Sequence, residues 1–248
     1  MFQPKQMINS GFFKHWSSDM TYVLGFIVAD GSVCKRKNRR DSYYMNITNK
    51  ERKHLERINE VMSSQYALGR KGRGGSCKKE YSYIQVSNKE ICKNLISLGI
   101  VPRKTYNLDP IRVPDEYFPD FVRGFFDGDG SVYIYKVNKT SQIKVGFVSA
   151  SLPFITHFNK NLCNFLGIIP KTIHKSPKRE RRIAGYSICF YINDSEKLAE
   201  FMYGNNPSLY LSRKRQIFEK WKTIKRRHYI KQNYPSKIGW RLSEKTLA

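Results

Sequence analysis

Tyr22 to Val33 reads YVLGFIVADGSV, and Phe121 to Val132 reads FVRGFFDGDGSV. Their aspartates, Asp30 and Asp129, stand 99 positions apart. Two such similar segments at that spacing mark an internal repeat, which has to be recognised before any fold is assigned. The residues downstream of the two copies correspond as well. Ile47–Ile58, ITNKERKHLERI, runs alongside Phe147–Phe158, FVSASLPFITHF, so that Leu55 and Ile58 fall on Ile155 and Phe158. Further on, EYSYIQVSNKEICKNLI (Glu80–Ile96) matches GYSICFYINDSEKLAEFM (Gly185–Met202). Each copy ends on a basic step, Pro102-Arg103-Lys104 or Ser212-Arg213-Lys214.

Each copy reads as helix, two strands, helix, two strands, helix. The first helix is expected after the caps Ser17, Ser18 and Asp19 in one copy, and after Pro119 and Asp120 in the other. Its apolar positions are Val23, Phe26 and Ile27, or Val122, Phe125 and Phe126. It is expected to stop where Gly31 or Gly130 supplies backbone freedom. Tyr43, Met45 and Ile47 alternate with Ser42, Tyr44, Asn46 and Thr48, the period of two that gives a strand one core face and one polar face. Ile143, Val145 and Phe147 alternate likewise with Gln142, Lys144 and Gly146. Arg70–Ser76 and Lys175–Arg182 read as basic turns within the later strand pairs, and Val101–Glu116, with three prolines, as the linker. The expected architecture is α+β, a pseudo-symmetric pair of αββαββα halves over residues 1–109 and 110–248.

The charge narrows the function. Forty-five Lys plus Arg against twenty Asp plus Glu leave a formal +25 at a pI near 9.9. Such self-repulsion is best tolerated when a polyanion neutralises it, and each phosphate contact gains from counterion release. A hydrophobic content of 40% is that of a globular chain. No apolar run approaches the ~20 residues that span a bilayer, which argues against a membrane partner. Met1–Gln6 lacks a signal-peptide pattern, so a cytoplasmic setting is expected, in a bacterial or phage context or organelle-encoded. Cys34, Cys77, Cys92, Cys163 and Cys189 are odd in number and widely spaced, and read as reduced thiols. Five scattered histidines give no zinc pattern. The stretch Ser212–Ala248 holds twelve Lys and Arg against two Glu, and its Trp221, Tyr229, Tyr234 and Trp240 suggest packing or backbone contacts outside the repeats.

Gly25-Phe-Ile-Val-Ala-Asp-Gly and Gly124-Phe-Phe-Asp-Gly-Asp-Gly resemble the signature segment of the LAGLIDADG homing endonucleases, and the resemblance runs from about Asp19 to about Lys225. It is similar to the single-chain, two-repeat branch. The resemblance implies that antiparallel sheets form a DNA-binding saddle and that the signature helices pack as the axis of a monomer. Gly25, Gly124, Ala29 and Gly128 would let the backbones approach, bringing Asp30 and Asp129 side by side as metal ligands, with Ala29 and Gly128 beside the ion. The cation implied is Mg²⁺, with Mn²⁺ or Ca²⁺ able to take the same place. Asp127, whose counterpart is Val28, has no symmetric role and is expected to be solvated or locally bonded. In the family a polar residue at the end of the second strand holds water near the metal. Asn49 and Ser149 take that place here, and their difference puts equal activity of the two centres in doubt. Lys104 and Lys214 resemble the family's basic residue near the start of the last helix of each half. They would stabilise charge on the phosphate or perturb a bound water, or merely anchor the phosphate or remain solvated.

Base recognition would belong to the polar strand faces. The alternation nominates Ser42, Tyr44, Asn46, Arg70, Arg73, Tyr83 and Gln85 in one copy, and Gln142, Lys144, Lys175, Arg182 and Tyr191 in the other. Tyr44 is set against Lys144 and Gln85 against Tyr191. The function implied is a site-specific homing endonuclease making a double-strand break in long, non-palindromic DNA by Mg²⁺-dependent phosphodiester hydrolysis, carried by an intron, intein or other mobile element. An RNA maturase that binds intron RNA, or a non-cleaving DNA-binding regulator, is the alternative on the same fold.

Overall fold

The computed structural model describes residues 7–36, 42–72, 80–102, 104, 108–138, 140–176 and 185–233, with side chains through residue 225. The first repeat runs α1 (Ser18–Asp30), β1 (Gly31–Lys35), β2 (Tyr43–Asn49), α2 (Arg52–Val61), β3 (Gly69–Gly72), β4 (Glu80–Val86) and α3 (Lys89–Ser97). After a single 3-10 turn at Asp115–Tyr117 the second runs α4 (Phe118–Asp129), β5 (Ser131–Val137), β6 (Thr140–Ser149), α5 (Leu152–Phe165), β7 (His174–Lys175), β8 (Tyr186–Tyr191) and α6 (Ile192–Tyr203). Both halves therefore carry αββαββα in an α+β fold. Each sheet is antiparallel and four-stranded, ordered β1-β2-β4-β3 or β5-β6-β8-β7.

A helix beyond the repeat, α7 (Ser212–Asn233), succeeds the second half. Its Phe218 and Trp221 are buried, and the Trp221 indole N–H donates to Glu196 at 2.9 Å. The described start of this stretch is packed through Trp221, the one of the four expected contact aromatics whose side chain is described. The side chain of Tyr229, with Tyr234 and Trp240, lies outside the described residues.

The alternation sorts the strands as expected. Met45, Ile47, Ile84 and Val86 point into one core, and Ile143, Val145, Phe147, Ile188 and Phe190 into the other. The second core is built from rings, with Phe125, Phe147 and Phe158 stacked, edge-on or tilted at centroid distances of 5.1 to 5.7 Å.

α1 opens where Ser17 accepts the Met20 N–H at 3.2 Å, a side-chain cap for one of the four amides a helix start leaves free. The start of α4 differs from the sequence reading. It begins at Phe118, with Pro119 inside the first turn, where a missing N–H is harmless. Asp120 is drawn inward instead of capping, paired at 2.5 Å with the buried Arg123, which also donates to the carbonyls of Leu209 and Met202.

α1 and α4 pack backbone to backbone along the centre of the molecule. A Cβ on Gly25 would stand 2.2 Å from the Phe121 carbonyl oxygen, and one on Gly124 would stand 2.0 Å from that of Tyr22. One on Gly128 would overlap the Ala29 methyl at 2.2 Å. Only glycine permits this approach. The glycines that end the helices serve a different purpose from the one expected. Gly31 and Gly130 have ordinary negative φ values of −103° and −75°. They are required because a Cβ would stand 2.8 Å from the Ile27 Cα or 2.5 Å from the Phe126 carbonyl oxygen.

Candidate active site

The close helix pair delivers Asp30 and Asp129 to one end of the α1–α4 axis, at the start of β1 and β5. Asp30 is half-buried and Asp129 is solvent-exposed, so both carboxyls are accessible. Burial raises the Asp30 carboxyl above the ordinary carboxylate range, against an opposing hydrogen bond from Asn49 and the positive charges of Lys214 and Lys104. Asp129 is pushed up to about 6 by the protein crowded around it and by the charge of Asp30. Both carboxyls are thus held above the ordinary carboxylate range, Asp30 by burial and Asp129 by burial and by the charge of Asp30.

The flanking groups differ between the two aspartates. Asn49, at the end of β2, donates its amide N–H to Asp30 at 2.5 Å and accepts the Glu51 N–H at 2.8 Å through its other atom. Ser149, at the end of β6, accepts the corresponding Ser151 N–H at 3.1 Å. Its hydroxyl makes no bond to Asp129 among the described residues. Asparagine spans the turn and the carboxylate together, whereas serine reaches only the turn.

Lys104 and Lys214 are both buried, at 7% and 3% exposure, which excludes a solvated role. Lys104 lies after α3, the last helix of the first half, and among the described residues no helix starts beside it, a departure from the expected placement; its ammonium donates to the Val28 carbonyl at 2.5 Å. Lys214 does lie in the first turn of a helix, α7, and donates to the carbonyls of Phe126, Asp127 and Gly130 at 2.5, 2.9 and 2.6 Å. Burial pulls both ammonium groups down to about 8, against the pull of the nearby aspartates. The two lysines bind carbonyls at the ends of α1 and α4, where the helical hydrogen-bond ladder runs out.

Asp127 is not solvated. It is fully buried, accepting the Tyr22 phenol at 2.7 Å and the Leu211 N–H at 2.8 Å on one carboxylate oxygen. Because that phenol donates its proton to Asp127, it accepts from His54 Nε2, 2.9 Å away. Burial, then the charges of Arg57, Lys214 and Arg213, hold His54 down at about 4, so it is neutral near pH 7. The repeat-related positions are Phe121, Phe154 and Val28, all apolar, so this polar network exists once. Sequence reasoning missed it because its members are separated by up to 105 positions.

Strand register sorts the nominated recognition residues. Tyr44, Asn46, Tyr83 and Gln85 share the face opposite the first core, and Gln142, Lys144 and Tyr191 share the corresponding face of the second sheet. Ser42 lies just before β2, its carbonyl accepting the Arg36 N–H at 2.8 Å. Arg70 and Lys175 lie in strands rather than turns, paired with Ser82 and Tyr186, on the core-side parity. Arg70 is 3.8 Å from Glu80. Lys71 and His174 occupy the polar face in their place, paired with Tyr81 and Ser187. Arg73 and Arg182 lie outside the described residues. Gln85 pairs with Asn46, and Cys189 with Gly146. The counterpart of Gln85 is therefore Cys189, not Tyr191.

Among the described residues no three His, Cys, Asp or Glu side chains gather as a metal cage, and no helix is long and apolar enough to cross a membrane. Two antiparallel sheets joined by a glycine-paired helix axis, with one carboxylate from each half at its end, define a two-repeat, pseudo-dimeric fold. Residues 120–202 match the family of LAGLIDADG-like domains. Among solved structures, the LAGLIDADG homing endonuclease I-GzeII in complex with its DNA target is 12% identical, with a TM-score of 0.55 over 87% of this chain and 93% of that one. The LAGLIDADG meganuclease I-AabMI bound to uncleaved DNA is 15% identical, with a TM-score of 0.54 over 85% and 91%. An I-DmoI variant in complex with its target DNA, in the presence of manganese, is 17% identical, with a TM-score of 0.51 over 81% and 96%. No curated protein sequence matches. Residues 120–202 are thus similar to a LAGLIDADG-like domain, and most of the chain shares the fold of these LAGLIDADG homing endonuclease structures.

Proposed function

We propose that this protein is a site-specific DNA endonuclease that hydrolyses one phosphodiester bond in each strand of a long, non-palindromic duplex. The observation that carries the reading is the pair of accessible carboxylates, Asp30 and Asp129, held together by helices in backbone contact and flanked by two buried lysines. The donor set fits a hard divalent cation, because its positive charge would offset the burial that raises both carboxyls and the charge of Asp30 that further raises Asp129. Asp30 and Asp129 would hold it, with the main chain of Ala29 and Gly128 alongside. Such an ion, Mg²⁺ in this reading, polarises a phosphate and lowers the pKa of bound water. The related structure obtained with manganese and target DNA supports a divalent metal.

The remaining work falls to this chain's own side chains. Asn49 fixes the orientation of Asp30. Lys104 and Lys214, tethered to main-chain carbonyls, set positive charge beside the place where a phosphate gains negative charge, without moving when it does. Phosphate contacts from the basic surface supply affinity, and the polar strand faces supply choice of sequence. The test is incubation with a randomised duplex pool and Mg²⁺ or Mn²⁺, and then sequencing of the cut ends. The expected result is one asymmetric site about two helical turns long. No cutting with either metal, or cutting without preference, would overturn the proposal.

A further inference from the structure

The two sheets present different chemistry at positions related by the repeat. In the first, Asn46 lies between Ser32 and Gln85 across β1, β2 and β4. Gln85 is exposed, and Asn46 is half-buried with its Oδ1 accepting the Thr48 hydroxyl at 2.9 Å. That bond sets the amide plane and leaves the NH₂ group and one oxygen lone pair for a ligand. Two amides side by side match the acceptor N7 and donor N6 of adenine in the major groove. In the second sheet the same row is Ser131, Gly146 and Cys189. Gly146 has no side chain, and a Cβ there would stand 3.1 Å from the Ser131 hydroxyl and 3.8 Å from the Cys189 sulfur, so its neighbours already close over it. A serine hydroxyl and a weakly bonding thiol form no bidentate fork. Taller residues stand on both sides of this low row. Tyr133 and Tyr191, 46% and 47% exposed, bracket Lys144 on one side, and Val148, 44% exposed, lies on the other.

We infer that Asn46 and Gln85 select an adenine in one half of the target, while the Ser131–Gly146–Cys189 row leaves the pseudo-symmetric base pair unread. The inference rests on the duplex-DNA reading above and adds where its specificity resides. Selection of bound duplexes from a randomised pool by the full chain in EDTA, without cleavage, tests it. One position should favour adenine by about tenfold or more. Asn46→Ala or Gln85→Ala should relax that position alone, to within about threefold. The position related to it through the centre of the site should vary by less than about threefold in the wild type and gain an adenine preference in Cys189→Gln. The inference is overturned if the relaxed position is not adenine, or if the related position is equally selective in the wild type. Loss of all sequence-selective duplex binding would instead remove the underlying DNA reading.

Discussion

The corner around Asp30 and the corner around Asp129 are built on one plan and finished differently. Both sit at the end of a glycine-paired helix, beside a strand end whose polar side chain accepts an N–H two residues on. At Asp30 that side chain is an asparagine with an amide to spare for the carboxylate. At Asp129 it is a serine that stops short. The lysines are uneven in the opposite sense, Lys214 binding three carbonyls at the end of α4 and Lys104 one at the end of α1. Shared backbone geometry keeps a repeat symmetric, whereas side chains of different reach let its two centres diverge.

The predictions that break or sharpen this comparison run from large effects to small. Gly25 and Gly124 meet the partner backbone equally, so Gly25→Ala and Gly124→Ala should each cost about 3 kcal/mol or more, by overpacking that no side-chain rotation relieves. Thermal melts check this, and a mild effect of either would break the symmetry of the axis. His54, whose counterpart is Phe154, supplies an asymmetry in pH. It titrates near 4 when folded, against about 6.5 unfolded. Below pH 6.5 the unfolded chain takes up a proton that the native state refuses. His54 therefore contributes stability above pH 6.5 that is lost as pH falls toward 4, by up to about 3 kcal/mol, while the raised Asp129 carboxyl acts in the opposite sense. Denaturant midpoints across that window should fall less steeply in His54→Gln.

Lys214→Met should slow cleavage by about a hundredfold and Lys104→Met by less, in keeping with removal of preorganised charge and with three bonds against one. Single-turnover rates decide the order. The smallest effect concerns the strands. The corner completed by Asn49 should cut faster, leaving a nicked intermediate. Asn49→Ala should reduce that bias and Ser149→Asn should narrow it from the other side, each by roughly tenfold at most. End-labelled strands tracked over time report it, and equal strand rates in the wild type would remove the argument from Asn49 and Ser149.

Much of this molecule was legible in the chain itself. Alternation at Met45–Ile47 and at Ile143–Phe147 identified the strands, and the repeat paired Asp30 with Asp129. Tertiary distance hid the rest. Nothing near Asp127 announces Tyr22 or His54, since the bonds cross from one half to the other. Reading Arg70 and Lys175 as parts of basic turns missed that they pair within strands on the core side, because strand register depends on pairing partners and not on local composition. The same uncertainty set Gln85 against Tyr191, when hydrogen-bonded neighbours make Cys189 its equivalent.

The most direct test of the shared centre uses Asp30→Asn and Asp129→Asn singly on a selected substrate with Mg²⁺, alongside duplex binding in EDTA. Each substitution should abolish double-strand cleavage, falling by about a thousandfold or more, while Kd changes little. Cleavage at the wild-type rate in both variants would contradict the account.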